Sequence, residues 1–579
     1  MSETPVEAEV QSPYDQSDAQ EDSFEDHGVL PRAQHILQRL GNVEELSKLI
    51  LAWLDTGANL ALAEPFVLGC VHAMLAYPWK RASAYLEPGS SEQTRQYSQQ
   101  AKLLSRNTRK VITLTEHNTF ESYISQMSGL NIRWETLGLF FVASAKATME
   151  IELFPTLYTS DEQRKQLARS LTYIGDCCLE ICLSIDCLND LQIILQYEQF
   201  HTHSSIYGET SFRTARVMGD LATSLIALGY HEKLDQQNLN VPRAILELRK
   251  SIFARIYWAD KTLSVFMGRP PRISLAFCNF QVPNFRLEEN PPHLEVINYV
   301  ADTRCSARFA ILKEQSLEIF RMRDSNEQVV RADMIRFDLE TLWTGLPAHF
   351  RLTTSLAACK ESPFVKDFLA NQRLEYLHTH FLLGLTHLQK HPEPSERLLE
   401  VSGEMLSLVV EIMLLRNKLV NSSTNWLWKV SSLENVPSNR SSTDRTQVAH
   451  FGLPAAGVIS LALLRRSGTS TPTVVRSRLI QTLCVLVAEL RSGAIISPGD
   501  PSFDLFTRAT RTISSILDSS LTLAPPLRAT VADLQGSASF DINTNWNPDM
   551  SFEPWDFENM DLWNNLATHP TIAGMDGRA

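Results

Sequence analysis

The chain contains no Cys-x-x-Cys pair, no Asp-Asp-x-x-Asp run, no basic cluster of the import or nucleic-acid type, and no apolar stretch near the roughly 20 residues that cross a bilayer. Each absence excludes a class. The nine cysteines, an odd number spread from Cys70 to Cys484 with no secretory signal before them, form no disulfide framework and imply a reduced, intracellular protein. Without an Asp-rich metal motif, an all-α synthase of the isoprenoid type is disfavoured, and no catalytic residue or cofactor is expected. Leu453 to Leu464 is the best candidate for a membrane segment, but it is short and runs into Arg465-Arg466, so a soluble chain is expected. The net charge of -13 argues against binding nucleic acid through the overall field, because phosphate binding needs clustered Lys and Arg. Any contact with DNA must be local or borrowed.

The 579 residues, 44% hydrophobic, are enough for a large core. At about 150 residues per domain they allow three or four units, or one continuous helical body. Residues 1 to 28 hold nine acidic residues, and no Lys or Arg precedes Arg32. Such a stretch cannot bury enough apolar surface to fold, so residues 1–32 read as a disordered acidic arm. Helical periodicity then predicts helices over 36–54, 61–77, 93–115, 133–152, 161–197 and 211–228, with Gly and Pro falling mostly between them. The expected class is all-α: a large multi-helix body with disordered acidic ends.

The most specific stretch runs from Arg243 to Gly268. Ile245, Leu248, Ile252, Ile256, Ala259, Leu263 and Phe266 recur at three and four residues, the spacing of one helix face. A second stripe, Leu246, Lys250, Phe253, Tyr257, Asp260 and Ser264, mixes aromatic bulk with charge, so this helix is expected to be covered on more than one side. Gly268 supplies a C-cap and Pro270 forbids continuation. Asp260 and Arg269 are expected to make an ion pair or helix-end contact that fastens the following loop, with the Arg269 guanidinium near the free carbonyls.

In kind and order, Arg249, Phe253, Tyr257, Trp258, Asp260, Ser264, Gly268, Arg269 and Pro270 resemble the signature helix of the fungal-specific transcription factor domain, the regulatory middle region of fungal zinc-cluster regulators. Two further stretches resemble that family. Ala222 to His231 is similar to its Ala-x-x-Leu-Gly-Leu-His element, with Tyr230 in place of Leu; Phe451 to Val458, followed by Leu461 to Leu464, is similar to its late Pro-Ala-Ala-Gly helix. The likeness covers roughly residues 50 to 520. It implies a helical regulatory domain over 50–430 with its signature at 243–271, a loop at 431–447, and a C-terminal helical part of the same body at 448–520. It further implies a nuclear transcription regulator of a metabolic or secondary-metabolite gene set. A dimer partner and indirect or local contact with promoter DNA are implied as well, and no membrane is.

The family's DNA reader is a six-cysteine zinc cluster, and it is not visible in this chain. Cys177, Cys178, Cys182 and Cys187 have the wrong spacing and apolar neighbours, and read as small hydrophobes on a helix. Zinc would therefore enter only through a module upstream of Met1, or DNA contact through a partner. His231 reads as a helix cap rather than a catalytic base, and His201-Thr202-His203 as a polar loop rather than a metal site. A helical adaptor or metabolite-sensing coregulator, without activation or DNA-binding function, is the competing class.

The last segment, 529–579, carries no Lys or Arg from Ala529 to Gly577, while Trp546, Phe552, Trp555, Phe557 and Trp563 alternate with Asp and Glu. Acidic-hydrophobic alternation is the composition of an activation segment whose hydrated aromatics enter an apolar groove of a coactivator or of the transcription machinery. The alternative is a tail packed back on the body. Trp555→Ala with Phe557→Ala is expected to lower reporter activation at unchanged protein abundance; a fall in abundance, read by quantitative immunoblot, would favour packing.

Overall fold

The computed structural model describes residues 29–522 apart from 39–41, 77–90, 115–118, 210, 238–240, 284–295, 389–392, 416–447, 465–472, 494, 497–499 and 501–502. Among the described residues there are helices and no strand; an isolated bridge joins Phe154 to Tyr158. The acidic arm before residue 29, the 431–447 loop and the 529–579 segment lie outside the described residues.

The first half builds around α6 (Trp134–Glu150), whose side chains from Trp134 to Thr148 are all buried. The preceding helices are α1 (Val29–Gln38), α2 (Val43–Leu54), α3 (Glu64–Ala76), α4 (Ser91–Arg109) and α5 (Phe120–Ser125). Helices α2 and α3 pack on α6, together with α7 (Asp161–Ile185) and α8 (Asp190–Tyr207), which follow it. Gly138 of α6 lets this crossing close: a Cβ there would meet a methyl of the buried Leu195 at 2.5 Å. Helix α9 (Phe212–Ala227) lies against α8, and the short α10 (Leu234–Gln237) leads to α11 (Arg243–Met267).

The second half comprises α12 (Tyr299–Ile319), α13 (Ser325–Gly345), α14 (Pro363–Leu388), α15 (Glu396–Leu414), α16 (Leu453–Leu464), α17 (Thr473–Arg491) and α18 (Phe503–Thr522). Its largest apolar cluster joins α14 to α18. Helix α11 contributes to both halves: Ile252, Ile256, Tyr257 and Leu263 belong to the first core, and Val265, with Phe266 packed beside it, to the second. This is the long amphipathic helix expected from the sequence, and every residue from Lys250 to Val265 is buried.

Three helix boundaries differ from expectation. The first helix begins at Val29, inside the stretch read as the 1–32 arm, with Ala33 and Ile36 in the core. The expected 36–54 helix is two, α1 and α2. The expected 161–197 helix is also two: Asp186 takes a left-handed conformation, φ 56°, ψ 40°, and Asn189 then caps α8 through hydrogen bonds from the Leu191 and Gln192 amides. That break moves His201, Thr202 and His203 from a polar loop to the buried interior of α8. Ile193, Ile194, Tyr197 and Phe200 draw the helix inward, while Thr202 donates to the Glu198 carbonyl and His203 lies 2.7 Å from Asp176.

Candidate functional site

The groups singled out in the sequence converge on α11, where Lys250, Arg255 and Lys261 are buried, Arg249 is half-buried, and each of the four is met by a carboxylate. Arg249 reaches α8, where its Nη2 and Nε approach both oxygens of Asp190 at 2.9 to 3.2 Å. Tyr123 and Tyr230 donate their hydroxyls to the same carboxylate, and Arg249 lies over the Tyr230 ring. Tyr230, just past the end of α9, therefore serves the same anion as Arg249. Burial and the Asp190 charge hold both phenols well above their usual range.

Nearly two turns further along, Arg255 is fully buried and lies 2.8 Å from the equally buried Asp302 of α12, which also accepts from Gln372 of α14 at 3.0 Å. Burial raises the Asp302 carboxyl to about 6, opposed by Arg255. Trp258 donates to Glu375 of α14 at 3.2 Å, and Lys313 of α12 meets the other oxygen of that carboxylate at 2.5 Å. Tyr257 donates to Glu314 of α12, and burial followed by that charge holds its phenol far above the usual range. Phe253 stacks on Tyr257, the ring centroids 5.9 Å apart.

Asp260 is the loop anchor, as expected, but with different partners. Its carboxylate accepts from the Arg272 and Ile273 amides at 3.0 to 3.1 Å and lies 3.0 Å from Lys261. Lys261 also donates to the Ile273 carbonyl and lies 3.1 Å from Glu314, which in turn accepts from the Leu275 amide at 2.8 Å. Two carboxylates and one ammonium thus fix residues 272–275 against the helix. Arg269 does not take part: it is exposed, and among the described residues its side chain makes no ion pair. The chain reverses at Gly268, φ 62°, and the Arg269 amide bonds the Ser264 carbonyl, so the backbone closes the helix end and carries the guanidinium outward. Ser264 donates back to the Asp260 carbonyl.

His231 is likewise corrected. Gly229, φ 72°, and the Tyr230 amide, bonded to the Leu225 carbonyl, terminate α9. The His231 imidazole instead lies 3.5 Å from Glu232. Cys177, Cys178 and Cys182 are buried, and burial raises their thiols, the behaviour of packed hydrophobes. No group of three or more His, Cys, Asp or Glu among the described residues is placed to hold a metal ion. Asp190, Asp302, Glu314, Lys313, Glu375 and Arg272 were not singled out from the sequence. The available signal was charge in otherwise apolar helices, as in Phe309-Ala310-Ile311-Leu312-Lys313-Glu314.

A second buried cluster lies beside the first. Glu198 of α8 accepts from the Leu62 and Ala63 amides at 2.7 and 3.1 Å, satisfying the start of α3, and burial raises its carboxyl to about 7. Glu150 accepts from the Trp53 indole at 2.6 Å and is pushed by burial to about 8, while burial lowers the nearby Lys146 ammonium. Through these bonds the cluster ties the backbone before α3 to α8 and the α2 indole to α6. Comparison with protein-family models, curated proteins and solved structures gives no match.

Two predictions follow from this geometry. Asp260→Ala leaves two amides without an acceptor and removes one of the two carboxylates that meet Lys261, and is expected to cost about 3–5 kcal/mol, whereas Arg269→Ala is expected within about 0.5 kcal/mol of the parent; urea unfolding separates them. Glu150 binds its proton more tightly folded than unfolded, so its contribution is complete below pH 4.5 and is lost as pH rises through about 8. The fall in urea midpoint between pH 6.5 and 8 should be shallower in Glu150→Gln, and an unchanged slope would refute the assignment.

Proposed function

We propose that this chain is a nuclear transcription regulator of the fungal type, acting by recruitment rather than catalysis. The observation that carries the reading is the run Arg249, Phe253, Tyr257, Trp258, Asp260, Ser264, Gly268, Arg269, Pro270, which resembles the signature of fungal zinc-cluster regulators and lies, as far as Ser264, on the helix shared by both cores and then in the residues that close it. The all-α body is the fold class that resemblance implies. No helix among the described residues is long and apolar enough to cross a membrane.

In this reading the body receives a signal or a dimer partner, and the acidic aromatic segment 529–579 engages a coactivator or the general transcription machinery. Promoter contact comes through a zinc cluster outside this sequence or through a partner, since the net charge of -13 gives no general attraction to phosphate. The genes controlled are a metabolic or secondary-metabolite set. Zinc belongs to the DNA reader and is assigned to no residue here.

The test is fusion of residues 529–579 to a heterologous DNA-binding domain with a reporter. Activation well above the bare DNA-binding domain, lost on Trp555→Ala with Phe557→Ala, is the expected result. A silent reporter with the fusion present in the nucleus would sink the activator reading and leave the helical adaptor or metabolite-sensing coregulator.

A further inference from the structure

Helix α13 is apolar on two opposite sides. Gln328, Ala332, Ile335 and Leu339 face inward, with Ile335 and Leu339 at 1% and 0% exposure, and the last three pack in a small cluster with Phe309 and Ile319 of α12 and Leu383 of α14. Two residues further along each time, on the other side, come Val330, Met334, Phe337 and Thr341 at spacings of four, three and four. Val330 is 61% exposed, Met334 53% and Phe337 71%, so the outer face presents a continuous apolar stripe to solvent. Single exposed hydrophobics are ordinary; a stripe of large ones along one helix line marks a contact surface.

The charges beside the stripe indicate what covers it. Arg331 and Asp338 lie seven residues apart on one flank, and neither makes an ion pair among the described residues. On the other flank Asp333 and Arg336 pair with each other along the helix. When two copies of this helix pack antiparallel about a two-fold axis, like flanks meet, and residue i stands opposite residue j whenever j contacts i. A dyad between Met334 and Ile335 sets Arg331 opposite Asp338 of the second copy, twice, and Asp333 opposite Arg336. The same register brings the two Met334 side chains together and alternates Phe337 of one copy with Val330 and Met334 of the other. One register therefore satisfies the apolar stripe and both flanks.

We propose that the outer face of α13 is a homodimer interface in which Val330, Met334 and Phe337 pack against a second copy of this chain, with reciprocal Arg331 and Asp338 pairs fixing the antiparallel register. The surface does not depend on the transcriptional reading, and it supplies a place for the dimerisation that no heptad pattern in the sequence located.

The experiment uses the full chain in sedimentation velocity up to about 100 µM, a range that detects interfaces of modest size. The parent should show concentration-dependent doubling of mass, and Phe337→Asp should abolish it with an unchanged helical spectrum. Arg331→Glu and Asp338→Arg should each weaken association about tenfold through two repulsive contacts. The double variant should return to within about twofold of the parent, since both pairs are restored in reverse. Met334→Cys should form a covalent dimer under mild oxidation far faster than the parent with its exposed Cys484, a reading that holds even where Phe337→Asp does not fold. A parent monomeric throughout, or a Met334→Cys chain that crosslinks no faster than the parent, overturns the proposal. So does dimerisation that Phe337→Asp leaves intact in folded protein, or that the double variant fails to restore. If Trp555→Ala with Phe557→Ala converts a monomeric parent into a dimer, the occupant is the acidic aromatic segment and not a second copy.

Discussion

The rest of the fold depends on the neutralisation of cations buried on α11. Arg255, Lys261 and, nearer the edge, Arg249 are placed where bare charge is untenable, and each is met by carboxylate from its own neighbourhood: Asp302, then Asp260 with Glu314, then Asp190. Such pairs add little net stability over well-packed apolar residues, but losing one partner costs about 3–5 kcal/mol. A packing that slides α12 or α8 along α11 loses partners in this way. The ion pairs therefore act mainly on specificity: they select one arrangement of helices among the many that a hydrophobic bundle would tolerate.

This explains why the polar residues of α11 are interleaved with its apolar ones. A helix serving a single core needs one apolar stripe. Helix α11 is wrapped on all sides from Lys250 to Val265, so its polar groups must find partners indoors, and α12 and α14 carry matching charges at Asp302, Lys313, Glu314 and Glu375. The closing turn follows the same rule. Gly268 and Pro270 end the helix, and the orphan amides of residues 272, 273 and 275 return to Asp260 and Glu314, which hold the loop against the helix.

What was legible in the sequence follows from the range of each signal. The length, burial and C-cap of α11 were readable because periodicity, Gly268 and Pro270 are local. So was the anchoring role of Asp260, though its partners were not: the expected contact with Arg269 does not form. A left-handed residue at 268 turns the next side chain away, and the partners lie at Lys261 and in the backbone of 272–273. The break at Asp186 was missed because apolar residues continue on both sides of it, and only the Asn189 cap marks the restart. Glu198, Glu314 and Glu375 act across dozens of residues, and no local pattern could assign their partners. The outer face of α13 was overlooked for a related reason: with apolar residues on both sides, the helix shows no single amphipathic direction.

Charge is distributed in a way that bears on association. Nine of the 66 acidic residues lie in 1–28 and eight in 529–579, with one of the 53 basic residues, Arg578, leaving 49 acids against 52 bases between them. The net charge of -13 thus belongs to the two ends, and the body is close to neutral. Two bodies can approach without long-range repulsion between them, while the ends repel one another only within a Debye length of about 8 Å at physiological salt. The same partition keeps the two roles apart. Carboxylates inside the body are consumed by buried cations and amides, whereas those in 529–579 have almost no cation in their own sequence to neutralise them. On the recruitment reading proposed above, that anionic composition suits Trp546, Phe552, Trp555, Phe557 and Trp563 to a basic-rimmed apolar groove on another protein.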